Sequence, residues 1–374
     1  MKPLFRAIAT PLASIFGSGF LVIVPILAGA VGPYSVLAMA AICLLAYAVG
    51  SVIRYNIKHA EPVLAGTPDE ATLSLDRASD LALVLAYVVS VSLYIHILAA
   101  FVLGGLHADT LFNKNLLTSG IIGVITLVGV TKGLKMLENL ELWTLLATLV
   151  IISAILIGFA HFDWQAWRSG GGFQLPAMPD HSTWQVLAIL GGTLIVVQGF
   201  ETTRYLGSTY DATTRIKAAR WSQIISTVVY LIFVALALPI VPQLKGVYDD
   251  NSLIALAAAA SSLLAIPLIV AAAMSQFSAA VADTLAASGN MEEVTHRHLK
   301  ARWGYLVIGG GAIALTWTAD TFQIVALASR AFAFYYMLQC LVAISVSESL
   351  RQRLAMLVLA IVLGFITIFA IPVS

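Results

Sequence analysis

Two interruptions in otherwise apolar helical segments constrain this chain most: Gly17-Ser18-Gly19 near the start and Gln198-Gly199-Phe200-Glu201 at about the midpoint. Glycine loosens a helical backbone and frees N–H and C=O groups. In lipid those groups are tolerated only where they line a cavity or meet partners from neighbouring helices. A pair of broken helices at corresponding places in two halves of a membrane chain points to a transporter whose substrate site lies at the breaks.

That argument requires a membrane, and composition supplies it. With 60% hydrophobic and 10% charged residues and a mean hydropathy of +0.94 over 374 residues, there are too few charges to cover a water-soluble surface. The net charge of +1 leaves no basic face for phosphate backbones, so nucleic acid is excluded as a partner and the lipid bilayer is the expected one. Cys43 and Cys340 both fall in apolar stretches and read as small buried hydrophobes. No cleavable signal peptide is expected, because the first apolar stretch carries the glycine break and no cleavage region follows it.

A span of roughly 20 apolar residues divides the chain into eleven segments. They run Ala7–Val31, Tyr34–Ile53, Ala82–Leu106, Leu117–Val130, Leu142–Phe159, Trp184–Leu206, Ile224–Val241, Leu253–Ala286, Trp303–Thr318, Phe322–Val346 and Leu354–Val373. The eighth is long enough to hold an extracellular helix before its span. With the N-terminus inside, every Lys and Arg except Lys114, Arg168, Lys245 and the intraspan Arg330 falls on the cytoplasmic side. The sequence therefore predicts an integral membrane protein of the bacterial inner membrane, N-terminus cytoplasmic and C-terminus extracytoplasmic. Breaks in the first and sixth segments predict two inverted five-helix repeats, about 5–160 and 183–346, in one transport domain over 1–346. The remaining 347–374 would form a peripheral helix.

Ile15-Phe16-Gly17-Ser18-Gly19-Phe20 followed by Gly32-Pro33 resembles the opening of the amino acid/polyamine/organocation (APC) superfamily. Gly199-Phe200-Glu201, with the polar stretch Asp211 to Arg220 after it, is similar to that superfamily's sixth helix and the loop beyond. Ser278-Ala279-Ala280 leading to Gly289-Asn290 resembles its eighth helix and exit. The chain departs from the pattern in having eleven segments where twelve are usual, no proline in the loop after the sixth, and Asp283 near where an arginine often stands. The resemblance implies the leucine-transporter (LeuT) fold and alternating access, with substrate between the first, third, sixth, eighth and tenth helices. It implies that backbone N–H groups of Gly17, Ser18 and Gly19 bind a substrate carboxylate. Physical chemistry agrees, since a half-helix starting near Phe20 would present unpaired donors and a positive dipole end, which favours an anion. Gln198, Gly199 and Phe200 at the second break, Tyr94 on the third segment and Phe334 on the tenth complete the expected substrate site.

The ionisable residues inside spans are the candidates for coupling and gating, because each costs roughly 2.5 to 3.5 kcal/mol to insert. Glu201 has three open roles: binding a substrate ammonium, carrying a coupling proton, or holding the broken helix by accepting backbone N–H groups. Arg204, three residues on, would pair with Glu201 at an inner gate or snorkel to the interface. Arg330 would face the cavity or pair with Glu201, Asp283 or Asp320. His96 would relay a proton or sit neutral and hydrogen-bonded. Asp283 would hold a cation or proton, and Ser275 and Ser278, one turn apart, would supply oxygens to Na⁺ as the eighth-helix hydroxyls of sodium-coupled relatives do. No lysine occurs between Glu141 and Ala160, where proton-coupled relatives often carry one. His296-x-His298 is too sparse for a metal site, and Gly309-Gly310-Gly311 lies inside a span and is no phosphate loop.

These residues predict a secondary transporter of an amino acid or related small organic solute, coupled to Na⁺ or H⁺, with no other cofactor and no enzymatic site. Two alternatives remain on the same fold: an inorganic-cation carrier or channel, favoured by the acidic residues, and a receptor that binds its ligand without transport.

Overall fold

A computed structural model describes residues 3–134, 140–170, 172–295 and 300–373. His296 and His298 lie outside them, as do Lys135 and Arg297. The described residues form helices and connecting turns, with no strand among them.

The helices are α1 (Pro3–Ser18), α2 (Ile23–Val31), α3 (Ser35–Tyr55), α4 (Glu61–Leu64), α5 (Glu70–Gly105), α6 (Leu111–Lys132), α7 (Leu140–Arg168), α8 (Thr183–Gly191), α9 (Ala212–Ala237), α10 (Ser252–Ala260), α11 (Ala265–Val294), α12 (Ala301–Thr316), α13 (Thr321–Val346) and α14 (Leu350–Phe369). Among the described residues eight helical stretches are long and apolar enough to cross a membrane. The first, sixth and ninth expected segments add nothing to that number. The first is split into α1 and α2, the sixth is α8 followed by 3-10 turns, and α12 has only 16 residues. The expected eleven therefore does not follow from helix length alone.

Capping residues explain most boundary differences. Asp69 accepts both the N–H and the hydroxyl of Thr72, starting α5 twelve residues before its apolar stretch; those two bonds hold its carboxyl below the ordinary range. Asp211 starts α9 by accepting from Thr214 N, and Asp320 starts α13 with a reciprocal cap to Gln323. The long eighth segment resolves into α10 and α11, as the sequence predicts.

The centre of the bundle is α5: 78% of its most apolar window is buried, against 22% for α6 and α14. A helix enclosed on all sides must be apolar all round, and from Leu81 to Gly105 α5 is, apart from Tyr87, Ser90, Ser92, Tyr94 and His96. It packs on α11 and α13, while α14 lies against α13 at the rim.

The two ends of the bundle differ. At the end where the chain starts, Arg215 grips Glu61 through two bonds of 2.9 and 2.6 Å, and Arg204 meets Asp76 at 3.2 Å. At the opposite end Lys114 lies 3.0 Å from Asp250 and 3.5 Å from Asp109. Asp250 also accepts from the Thr321 hydroxyl, and Asn251 donates to Asp109 at 2.5 Å. This second cluster ties the loop after α5, the start of α6, the approach to α10 and the start of α13 into a cap.

Candidate functional site

Both breaks are present, each displaced from its expected place. α1 continues through Gly17 and Ser18, so the first break is Gly19–Val22, and α2 starts at Ile23 rather than near Phe20. The consequence is chemical. Gly17 and Ser18 stand at the C-terminal end of a helix, where carbonyls are exposed, and the Gly19 carbonyl takes the N–H groups of Val22 and Ile23, each at 3.1 Å. Gln276 of α11 donates to the Gly17 carbonyl at 2.7 Å. Nothing is described of the Ser18 side chain.

The second break is longer. After α8 ends at Gly191 the chain makes a 3-10 turn over Leu194–Val197, extends at Gln198, turns at Gly199 with φ +130°, and continues as a 3-10 helix over Phe200–Leu206. Ser329 of α13 services this opened backbone, donating to the Gly192 carbonyl at 2.7 Å and accepting from Ile195 N at 3.0 Å. Gln198 donates to the Tyr94 hydroxyl at 3.2 Å, joining the break to α5.

The breaks cross in contact. A Cβ on Gly19 would fall 2.5 Å from Val196 Cγ2, and one on Gly199 would fall 2.7 Å from Ile15 N. The Tyr230 hydroxyl of α9 lies 3.0 Å from the Ile15 carbonyl and 2.8 Å from the Val196 carbonyl, bridging both.

Glu201 is fully buried and turned back on its own break. Its Oε2 accepts from Gly199 N at 2.8 Å and from the Tyr336 hydroxyl at 2.7 Å, while Phe200 stacks on the Tyr336 ring. Of its three open roles this geometry serves the holding one. Glu201→Gln keeps an acceptor for both donors and is expected to leave thermal stability within about 1 kcal/mol of wild type. Glu201→Ala strands a buried N–H and hydroxyl and is expected to cost about 2 to 3 kcal/mol. Unfolding midpoints in detergent check both.

From the breaks a cavity of about 420 Å³ extends toward the end where the chain starts. Its walls come from α1, α5, α7, the 3-10 helix after Gly199, and α11. Ser14, Thr144, Thr148, Thr202, Ser275 and Ser278 contribute hydroxyls, and Thr209 at its mouth is exposed. Among the described residues that line the cavity, Asp283 is the one carboxylate, and none is Lys, Arg or His. The Ser90 hydroxyl donates to Asp283 Oδ2. Ser275 also approaches the first break, since a Cβ on Gly17 would lie 3.9 Å from its Oγ.

Several expected residues lie elsewhere. Arg204 does not meet Glu201: the carboxylate folds back to Gly199, and the guanidinium reaches Asp76 on α5. Arg330 pairs with no acid, because the carbonyls of Ala370 and Ile368 at the end of α14 take its N–H groups at 2.8 and 3.0 Å. Phe334 is 39% exposed and does not line the cavity; Phe332, Tyr335 and Tyr336 are the buried aromatics of that run. His96 is buried beside Asn115, toward the Lys114 cluster and away from the cavity. Tyr230, Gln276 and Ser329 carry long-range bonds to the backbone at or beside the breaks, and Ser90 one to Asp283; their one sequence signal is a polar group inside an apolar stretch.

An all-helical bundle of apolar spans with two opened helices crossing beside a polar cavity is the architecture of a membrane transporter. A family described as an APC superfamily transporter matches residues 1–371, and the chain belongs to that family. An uncharacterized protein of Aquifex aeolicus (strain VF5) is 39% identical over 376 residues, 98% of this chain and 91% of that one. Crystal structures of a manganese transporter from Eremococcus coleocola, in three mutant forms, share the fold at TM-score 0.57 and 15% identity, covering 97% of this chain and 85% of theirs.

Proposed function

We propose that this chain is a secondary transporter of a small organic solute bearing an ammonium group, an amino acid or a related amine, bound in the cavity beside the breaks. The observation that carries this reading is the cavity itself: about 420 Å³, with apolar walls, several hydroxyls and, among the described residues, Asp283 as its one charged side chain. That volume falls in the range of about 300 to 1,000 Å³ typical of small-molecule sites and far exceeds a bare ion. The C-terminal end of α1, with carbonyls and a negative dipole end, favours a cationic group at the first break. The hydroxyls can donate to a carboxylate, which replaces the Gly17–Gly19 N–H site expected from the sequence.

Ser275 and Ser278, beside the end of α1 and within the same lining, support Na⁺ as the coupling ion; protonation of Asp283 is the competing route. The bias of Lys and Arg toward the end where the chain starts supports placing that end in the cytoplasm of a bacterial cell, so that the cavity faces inward.

An inorganic cation is the second reading, favoured by the hydroxyls and the carboxylate of the lining. Against it, among the described residues no three His, Cys, Asp or Glu side chains gather as a metal site. Uptake into proteoliposomes, with labelled amino acids and amines tested under separate Na⁺ and H⁺ gradients and Mn²⁺ flux in parallel, decides between them. Gradient-driven organic uptake is the expected result. Metal flux with no organic uptake in folded protein would overturn it.

A further inference from the structure

A second site lies on the lipid-facing side of the molecule, at the seam between α3 and α9. The two helices pack closely: Gln223 of α9 donates to the Ala46 carbonyl at 2.7 Å, and a Cβ on Gly50 would fall 2.2 Å from its Oε1. Arg54, in the last turn of α3, is buried against this seam. Its Nη1 donates to Gln223 Oε1 at 2.5 Å, its Nη2 to the Tyr47 carbonyl at 3.4 Å, and its guanidinium lies 4.7 Å over the Tyr47 ring.

None of those partners carries a negative charge. Among the described residues Arg54 forms no ion pair, and the cation near enough to act on it is Arg220 of α9, which repels it. Arg220 is exposed, stands one helical turn before Gln223, and forms no ion pair among the described residues. Lys58, in the turn that follows α3, is exposed as well. A buried guanidinium with a second cation nearby at the edge of a bilayer is costly without a counter-charge, and the described residues supply none.

The surroundings indicate what supplies it. Tyr47 and Trp221 are exposed at the level of the arginines, as aromatic side chains are at a membrane interface. Toward the middle of the bundle the outward sides of the same two helices are apolar, with Leu44 71%, Val228 51% and Ile232 44% exposed. Cations, then interfacial aromatics, then apolar surface match a phosphate headgroup followed by its acyl chains.

We propose that the seam between α3 and α9 binds an anionic phospholipid, its phosphate held by Arg54 and Arg220 and its chains laid against the exposed apolar sides of the two helices. Free phosphate would use the arginines but not the apolar surface, so the two sources separate experimentally.

The test uses full-length protein, delipidated in a neutral detergent. Binding of dioleoylphosphatidylglycerol is followed by native mass spectrometry and by the unfolding midpoint, with dioleoylphosphatidylcholine and inorganic phosphate in parallel. Wild type is expected to retain phosphatidylglycerol and gain stability from it, with little effect from the other two. Arg220→Gln, an exposed change that leaves folding intact, is expected to weaken phosphatidylglycerol about fivefold, and Arg54→Gln to do so at least as strongly. Arg351→Gln, at the start of α14, is expected to bind as wild type. Equal binding of phosphatidylcholine, an equal shift with phosphate alone, or unchanged binding in Arg220→Gln would each overturn the proposal, the last even if Arg54→Gln does not fold.

Discussion

Asp283→Asn is expected to reduce uptake by about tenfold to a hundredfold while leaving the protein folded. Asn is nearly the same size and its carbonyl oxygen still accepts the Ser90 hydroxyl, so the wall of the cavity keeps its shape. What disappears is the one charge in the lining. A hydrogen bond to a charged partner contributes about 1.5 to 3 kcal/mol, which sets the expected factor. Initial rates of uptake in proteoliposomes, paired with an unfolding midpoint, measure the two effects separately. Unchanged uptake would remove Asp283 from both substrate binding and coupling, and with it the case for a cationic group on the solute.

Gly199→Ala is expected to be strongly destabilising for so conservative a change, costing about 3 kcal/mol. Two effects add. At φ +130° an L side chain is strained by about 1 to 2 kcal/mol. The new Cβ would also stand 2.7 Å from Ile15 N and 2.8 Å from the Ser14 side chain, both on α1, and relieving such overpacking costs about 1 to 3 kcal/mol. The obstacle at Ile15 is backbone, so no side-chain rotation clears it. Thermal unfolding of purified protein reads the loss directly. Gly133→Ala provides the comparison: φ is +75° but nothing lies within 4 Å of the new Cβ, so only the strain should register.

Both predictions turn on what the sequence does and does not disclose. Spans and breaks are legible because lipid punishes a polar or glycine-rich interruption, so Gly17-Ser18-Gly19 and Gln198-Gly199 stand out against their surroundings. The residue at which a helix lets go is less legible: Gly17 and Ser18 have the composition of a break but remain helical, and the chain opens at Gly19. That shift of two residues exchanges donors for acceptors and changes the kind of group the first break suits. Arg330 shows a different blind spot. A search for its partner among acids passes over the end of α14, whose last carbonyls accept equally well. Tyr230 and Gln276 were out of reach for the same reason: their partners are main-chain carbonyls, those of Ile15 and Gly17 more than 200 positions away, and no side-chain pattern marks a carbonyl. Ser275, Ser278 and Asp283 do meet in the cavity, because helical spacing alone fixes which of them share a face.

The cap around Lys114 lies at one end of the bundle, and the mouth of the cavity at the other. A blocker designed for this form of the molecule must therefore arrive from the side of Thr209. If that side is the cytoplasmic one, as proposed from the Lys and Arg bias, a polar inhibitor active on purified protein will fail on intact cells until it is made able to cross lipid.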